Sequence, residues 1–93
     1  MRRVLLRSEP FVRAARRLLK KHPEAADKFR TTLELLAEDS FNPLLKTHKL
    51  KGDLADSWSC SAGYDLRIVF DFIKHNDAEA ILFLTVGTHD EVY

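Results

Sequence analysis

Residues 58–72, WSCSAGYDLRIVFDF, alternate apolar and polar side chains with a period of two. Such alternation is typical of β-strands that bury one face. Trp58 and Cys60 alternate with serines in the first half, and Ile68 and Phe70 alternate with a mixed set in the second. The stretch therefore predicts two strands joined by a hairpin, which places a sheet in the C-terminal half of the chain.

The next apolar segment, residues 79–86, is the most hydrophobic of the chain. Its composition favours a strand with neighbours on both sides, so we expect it to be central in the sheet. A turn is predicted at 74–77, around His75-Asn76. Gly87 is predicted to end the strand, and residues 88–93 then form a short tail after it.

The N-terminal half has helical periodicity. Residues 2–7 predict a short strand, after which Ser8 is suited to cap a helix with Pro10 in its first turn. The pair His22-Pro23 ends this helix, because the residue before a proline resists the α region. The apolar stripe of the helix consists of Phe11, Ala14, Ala15, Leu18 and Leu19.

A second helix is predicted over roughly residues 23–38, and the short connection implies an antiparallel helix pair. Asn42-Pro43 breaks the pattern, and residues 44–51 are predicted to be extended. The fold class is α+β: an N-terminal strand, the helix pair, then three antiparallel strands in one small sheet, as a single domain over 1–93. The inward face of the second helix consists of Ala26, Phe29, Leu33, Leu36 and Ala37.

Composition narrows the class of protein. The 93 residues are 45% hydrophobic and 31% charged with three Gly and three Pro, which excludes collagen-like and disordered chains. Cys60 is the one cysteine, so an intramolecular disulfide and a cysteine-based zinc site are excluded. The longest apolar run, Ala80 to Leu84, is too short for a membrane span, and the N-terminus lacks a signal-peptide core. We expect a cytoplasmic protein without membrane contact.

Charge is segregated along the chain. Residues 1–30 carry ten Lys or Arg against three Asp or Glu, while residues 31–93 carry five against eleven. The basic segment predicts a surface for phosphates or for an acidic partner, although a solvated helix face is the ordinary alternative. The net charge of +1 is too small for autonomous nucleic-acid binding. Any RNA is therefore expected to be held within a larger assembly.

Five residues in the sheet half have the chemistry to cleave a phosphodiester: His48, Asp65, Arg67, His89 and Tyr93. A base removes the 2′-OH proton, a cation stabilises the phosphorane and an acid protonates the leaving 5′-oxygen. Each has a structural alternative. His48 could bond only backbone, Asp65 and Arg67 could form a surface ion pair, and Tyr93 could be frayed. His48, Asp65 and His89 could also bind a metal, but their spacing matches no metal motif.

The whole chain resembles the RelE/ParE superfamily of bacterial type II toxins, closest to the YafQ-like RelE/StbE branch. The resemblance lies in the order of elements and in three segments: His48-Lys49-Leu50-Lys51-Gly52, residues 65–70 (DLRIVF) and residues 87–93 (GTHDEVY). It implies a ribosome-dependent endoribonuclease that cuts mRNA in the A site of the 70S ribosome without a cofactor or metal. It also implies a cognate antitoxin that inactivates the protein in a hetero-oligomer.

The resemblance also assigns roles to residues. His48 matches the first catalytic histidine of the YafQ-like branch, Asp65 its strand carboxylate and His89 its tail histidine, an acid or base. Tyr93 matches the position where the family carries a functional aromatic residue in its C-terminal tail. Arg67 matches the strand arginine that contacts the scissile phosphate in RelE proper.

Two serines depart from the family pattern. Ser59 and Ser61 stand where relatives carry two lysines, or an acid and a histidine, and a hydroxyl can donate to phosphate but cannot replace a cation. RelE proper also has an arginine near the place of His89, so the chain mixes two catalytic sets. The two serines are also predicted to contact RNA. The other predicted RNA contacts are Arg13, Arg16, Arg17, Lys20, Lys21, Lys46, Lys49 and Lys51.

Two other readings remain open at this point. The same fold serves ParE-type proteins, which poison DNA gyrase without cleaving RNA, although they have no need of a histidine-bearing tail. The other alternative is a catalytically inactive relative that only binds antitoxin. The replacement of the family's charged residues by Ser59 and Ser61 is the best support for it. Each implies an antitoxin, expected to be acidic where it crosses the basic first helix.

Overall fold

The chain folds into two main helices and a five-stranded sheet. The structure is a computed structural model that describes residues 2–52, 56–63 and 65–92. The predicted α+β class is confirmed. In chain order the elements are β1 (Val4–Arg7), α1 (Glu9–Lys21), a 3₁₀ turn (Pro23–Ala25), α2 (Ala26–Glu38), a second 3₁₀ turn (Pro43–Leu45), β2 (His48–Lys49), β3 (Trp58–Ser61), β4 (Leu66–His75), β5 (Ala78–Thr88) and α3 (His89–Val92).

The strands follow the order β1-β5-β4-β3-β2 across the sheet. β1 runs parallel to β5, whereas the β2–β3, β3–β4 and β4–β5 pairs are antiparallel. The three predicted antiparallel strands are therefore confirmed, and β2 is an additional short strand at the edge. β5, the most apolar strand, pairs on both sides, while β4 lies at the middle of the order.

Helix α1 joins the sheet to α2. The Ser8 hydroxyl accepts a hydrogen bond from the Phe11 N–H at 3.3 Å, which confirms the predicted cap. The buried Phe11 ring stacks on Phe83 of β5 and on Phe29 of α2, with ring centroids 4.9 and 6.0 Å apart. The apolar stripe of α1 thus contacts both α2 and the sheet. The helix ends at Lys21, directly before His22-Pro23, as predicted.

Helix α2 begins later than predicted. Residues 23–25 form a 3₁₀ turn, so Ala26 is the first residue of the helix and is exposed rather than inward. Thr32 is buried instead, because it lies on the same face as Phe29 and Leu36. Its hydroxyl donates to the Lys28 carbonyl at 2.7 Å, which satisfies the polar group within the helix.

The segment predicted to be extended over 44–51 is mostly not a strand. The Asn42 side chain accepts from the Leu44 N–H at 2.9 Å, which caps a 3₁₀ turn that begins at Pro43. Lys46 then has a left-handed conformation with φ of 52°. Only His48–Lys49 pairs with β3. Pro43 and the Asn42 side-chain cap therefore favour a turn here in place of the predicted extended segment.

The β4–β5 hairpin is tighter than the predicted turn over 74–77. Its loop is Asn76-Asp77, and both residues have positive φ, 52° and 65°. Two-residue loops of this kind match the twist of antiparallel strands, and Asn and Asp tolerate positive φ better than most residues. His75 consequently belongs to β4, paired with Ala78.

Cross-strand register separates two faces of the sheet. Phe83 contacts α1, and Phe70, Trp58 and Cys60 share its face because directly paired residues point the same way. Cys60 has no exposed surface, and burial raises the pKa of its thiol to about 12, so the prediction of a core cysteine is confirmed. No helix of the described chain is long and apolar enough to span a membrane.

Candidate functional site

Two of the predicted catalytic residues, His48 and Arg67, share the sheet face opposite the helices with Ser59 and Ser61. We call it the serine face, and it is defined by His48, Ser59, Ser61, Arg67 and Gly87. His48 pairs with Ser59 across β2–β3, Ser61 pairs with Arg67 across β3–β4, and Arg67 pairs with Gly87 across β4–β5. Directly paired Cβ atoms lie about 4.5–5.5 Å apart, so these residues form two adjacent rows.

Arg67 is held in place by oxygen acceptors. Its Nη1 donates to the Leu66 carbonyl at 3.0 Å and to the Ser61 hydroxyl at 3.4 Å. The Ser61 hydroxyl in turn donates to the Gly63 carbonyl at 3.0 Å, which leaves its oxygen lone pairs toward the guanidinium. Both side chains are half-buried. Ser61 therefore orients a cation that can bind a phosphate with its remaining N–H groups.

Asp65 does not pair with Arg67. Within residues 2–52, 56–63 and 65–92 the structure has no ion pair between them, because the guanidinium bonds to Ser61 and Leu66 instead. Asp65 is exposed just before β4 begins at Leu66. The structural alternative of a surface ion pair is therefore wrong in this structure.

His48 has a defined tautomer. Its Nδ1 lies 2.9 Å from the carbonyl oxygen of Lys46, the residue with left-handed φ. Because a carbonyl only accepts, this hydrogen bond requires the proton on Nδ1. Nε2 of the neutral ring is then an acceptor, and the ring is exposed. The backbone contact expected as an alternative to function thus leaves the other nitrogen available to take a proton.

The predicted C-terminal tail is a helical turn, α3, over His89–Val92. Thr88 donates its N–H to Glu91 Oε1 at 2.8 Å, and the Glu91 N–H donates to the Thr88 hydroxyl at 3.4 Å. This reciprocal pair is a capping box, and the spacing Thr-x-x-Glu is its sequence signature. We did not identify Glu91 from the sequence, although that signature could have revealed it. His89 lies inside the box, with Nδ1 3.6 Å from Asp90 Oδ1.

Hydrogen bonding lowers the pKa of Glu91. The main cause is the bond from the Thr88 backbone N–H, followed by the bond with the Thr88 side chain. Desolvation opposes these bonds and raises the pKa in part, and the positive charges of Lys21 and Arg17 make smaller contributions that lower it. These two α1 residues and Glu91 line a cleft of about 220 Å³ between α1 and the end of β5.

The basic residues form two groups around these elements. Those on α1 are exposed, and Arg13 lies 3.9 Å from Glu9 one turn earlier. Those near His48 are exposed on and around the edge strand β2. The α1 group is Arg13, Arg16, Arg17, Lys20 and Lys21, and the β2 group is Lys46, Lys49 and Lys51.

Three predictions need separate treatment. Ser59 has no exposed surface, so its hydroxyl does not reach an RNA phosphate in this conformation, whereas Ser61 is half-buried. Tyr93 lies outside the described residues. In the described ranges no three His, Cys, Asp or Glu residues form a group that could hold a metal, which gives the alternative of a metal site no support.

Fold and site together define a class of protein. A strand, two helices and a mainly antiparallel sheet are the fold of a RelE-superfamily toxin, and histidines at the edge strand and the C-terminal turn resemble its YafQ-like branch. The family model described as the bacterial toxin of type II toxin–antitoxin system, YafQ, matches residues 3–93. The chain belongs to this YafQ family of toxins.

Solved structures confirm the fold. YafQ from E. coli strain BL21(DE3) superposes with a TM-score of 0.79 at 16% identity, with 98% of each chain covered. A chain of the E. coli DinJ-YafQ toxin–antitoxin complex gives 0.77 at 17% identity, covering 100% of this chain and 99% of that one. A metal-bound toxin from Helicobacter pylori gives 0.71 at 24% identity over both whole chains. No curated protein sequence matches the chain.

Proposed function

We propose that this toxin is an endoribonuclease that cleaves mRNA in the ribosomal A site by acid–base catalysis. The observation that carries the proposal is the common face of His48 and Arg67, one with a free ring nitrogen and the other with an oriented guanidinium. The two lie on β2 and β4, separated by one strand. A base and a phosphate-binding cation at this separation suit one nucleotide between them.

The geometry supports His48 as the general base. Its Nε2 takes the proton of the 2′-hydroxyl, and the 2′-oxygen then forms a bond to phosphorus. Arg67 stabilises the charge that develops on the non-bridging oxygens of the phosphorane. The bond from phosphorus to the 5′-oxygen breaks, which leaves a 2′,3′-cyclic phosphate and a 5′-hydroxyl.

The leaving 5′-oxygen needs a proton, and His89 is the proposed donor. The histidine is exposed at the start of α3, next to the strand end that carries Gly87 opposite Arg67. Asp90 lies beside the ring, with its Oδ1 3.6 Å from Nδ1 of His89. Asp65, exposed at the start of β4, is proposed to bind the same ring or the ribose, and Tyr93 to contact the base.

The ribosome and the antitoxin are the proposed macromolecular partners. The protein carries a net charge of only +1, so its two basic groups bind RNA best when the ribosome presents mRNA beside them. Residues of α1 are proposed to contact ribosomal RNA or, in the inactive complex, an acidic segment of the antitoxin. Both partners place the protein in the cytoplasm.

Primer extension on a defined mRNA tests the proposal. Purified protein is incubated with the mRNA in the presence and absence of 70S ribosomes, beside the variants His48→Ala and His89→Ala. His75→Ala is the matched control, because His75 is exposed at the opposite end of β4. We expect codon-phased cuts that need the ribosome, persist in the control and are lost in the other two variants.

Intact mRNA with and without ribosomes would exclude the nuclease. A gyrase supercoiling assay on the same protein would then test the ParE-type activity. Cuts that persist unchanged in both histidine variants would retain a nuclease but remove these residues from its site.

A further inference from the structure

We propose that Glu91 is a positioning residue that holds His89 in place by closing the last helical turn. The inference rests on the proposed function, since His89 is the group it positions. Glu91 belongs to none of the residues that the acid–base chemistry itself requires. It acts through the fold of α3.

The capping box encloses His89 in the chain. Thr88 and Glu91 exchange two hydrogen bonds, of 2.8 and 3.4 Å, and the residues between them are His89 and Asp90. A four-residue helix has almost no stability of its own, because each first turn fixes several dihedral angles for a single bond. These two bonds, together with the packing of α3, therefore contribute to the orientation of the backbone that carries His89.

The carboxylate of Glu91 also joins α3 to α1. Arg17 and Lys21 lie close enough to attract it, and the three side chains line the cleft at the end of β5. Two positive charges on the rigid α1 thus favour the ionised carboxylate that the capping box uses. Arg17 and Lys21, predicted from the sequence only as RNA contacts, have a second role here.

Packing against β5 completes the placement. A Cβ atom built on Gly87 would lie 3.1 Å from Glu91 Cβ, 3.2 Å from its Oε1 and 3.3 Å from Val92 Cγ1. Glu91 therefore rests directly on the backbone of Gly87, the cross-strand partner of Arg67. The contact sets the distance between the helix that carries His89 and the strand that carries the phosphate-binding arginine.

Two variants separate positioning from general structure. Glu91→Ala removes the carboxylate, whereas Glu91→Gln keeps an oxygen that accepts the Thr88 N–H bond. Glu34→Ala is the matched control, because Glu34 is exposed on α2, away from the capping box. Amide hydrogen exchange at Thr88 reports the capping box without any assay of activity. Single-turnover cleavage on saturating ribosomes reports the chemical step, and its concentration dependence reports ribosome affinity.

We expect Glu91→Ala to lose protection at the Thr88 amide and to cleave about ten- to a hundredfold more slowly, with unchanged affinity for ribosomes. Glu91→Gln is expected to restore most of the rate, and Glu34→Ala to match the wild type. Thermal unfolding of Glu34→Ala is expected to match the wild type, whereas Glu91→Ala is expected to unfold at a slightly lower temperature, because it loses the cap of one terminal turn.

The inference is overturned if Glu91→Ala exposes the Thr88 amide but cleaves at the wild-type rate. It is also overturned if the Thr88 amide stays protected in that variant, or if the loss lies wholly in ribosome affinity. Failure of the proposed function looks different: the wild type itself does not cut, while hydrogen exchange still shows whether Glu91 closes the turn.

Discussion

Arg67 of β4 lies directly opposite Gly87 of β5 in the antiparallel ladder. Because paired residues point to the same face, a side chain at position 87 would lie on the face of the sheet that carries the Arg67 side chain. Glycine leaves that space to α3, whose Glu91 and Val92 come within 3.1–3.3 Å of where a Cβ would be. One residue pair thus connects the proposed phosphate-binding arginine with the helical turn that carries His89.

The arginine is the first target for mutation. Arg67→Ala is expected to lower the rate of ribosome-dependent cleavage about 10²- to 10³-fold, as for loss of one transition-state donor. Arg67→Lys keeps a charge but loses the fork that binds Ser61, Leu66 and phosphate together, so we expect it to recover little. Single-turnover kinetics measure both. Arg30→Ala on α2, where Arg30 pairs with Asp27, is the control that retains full activity.

Gly87→Ala tests the close approach of α3. The added methyl group meets atoms at 3.1 Å, so the turn must shift, and overpacking of this kind destabilises by about 1–3 kcal/mol. We expect a moderately lower melting temperature and a larger loss of cleavage, because His89 moves with α3. Circular dichroism and primer extension measure the two effects. Wild-type cleavage by a folded Gly87→Ala protein would show that the position of α3 has no influence on the site.

The lowered pKa of Glu91 predicts that the stability of the α3 turn depends on pH. Its pKa is lowered below the ordinary 4.5, first by the Thr88 backbone hydrogen bond. A group with a lowered pKa in the folded state stabilises that state above its ordinary pKa and loses this effect as pH falls through the folded value. We therefore expect Thr88 amide protection to be constant above pH 4.5 and to decline below it. NMR titration of the carboxyl carbon checks this, with Glu34 as the reference; an ordinary titration of Glu91 contradicts it.

Cys60 is expected to be chemically silent while the protein is folded. Burial raises the pKa of its thiol from 9.0 to about 12, although Arg67 lowers it slightly. Since the thiolate is the reactive form, a thiol reagent at pH 8 is expected to modify Cys60 only after unfolding in guanidinium. Ellman's reagent measures the difference. Fast modification of the native protein would mean that this core opens readily.

Local signals in the sequence predicted most elements. Ser8 and Pro10 marked the start of α1, His22-Pro23 marked its end, and alternation identified β3 and β4. Such signals depend on neighbours within a few residues, so they are readable without a structure. Ala26 was misplaced for the same reason: Pro23 starts a 3₁₀ turn as easily as an α-helix, and the sequence does not distinguish the two.

Residue types for the site were also readable, but their arrangement was not. His48, Arg67 and His89 were identified by residue type and position, and the family resemblance assigned their roles. Nothing in the sequence showed that Ser61 holds Arg67, that Lys46 O selects the tautomer of His48, or that Glu91 closes α3 on Gly87. The Thr88-x-x-Glu91 spacing is the signature of a capping box and indicates that Glu91 closes α3, but we did not use it in the sequence analysis.

Local patterns along the chain were enough to predict two helices, the alternating strands, the buried cysteine and the chemistry that the side chains can perform. These properties follow from periodicity, capping and residue type, which act over short distances along the chain. Three features became known from the folded chain alone: the parallel pairing of β1 with β5, the edge strand His48–Lys49, and the face that His48 shares with Arg67. Such pairings join residues far apart in sequence, and their register is set by packing of the whole sheet rather than by local preference.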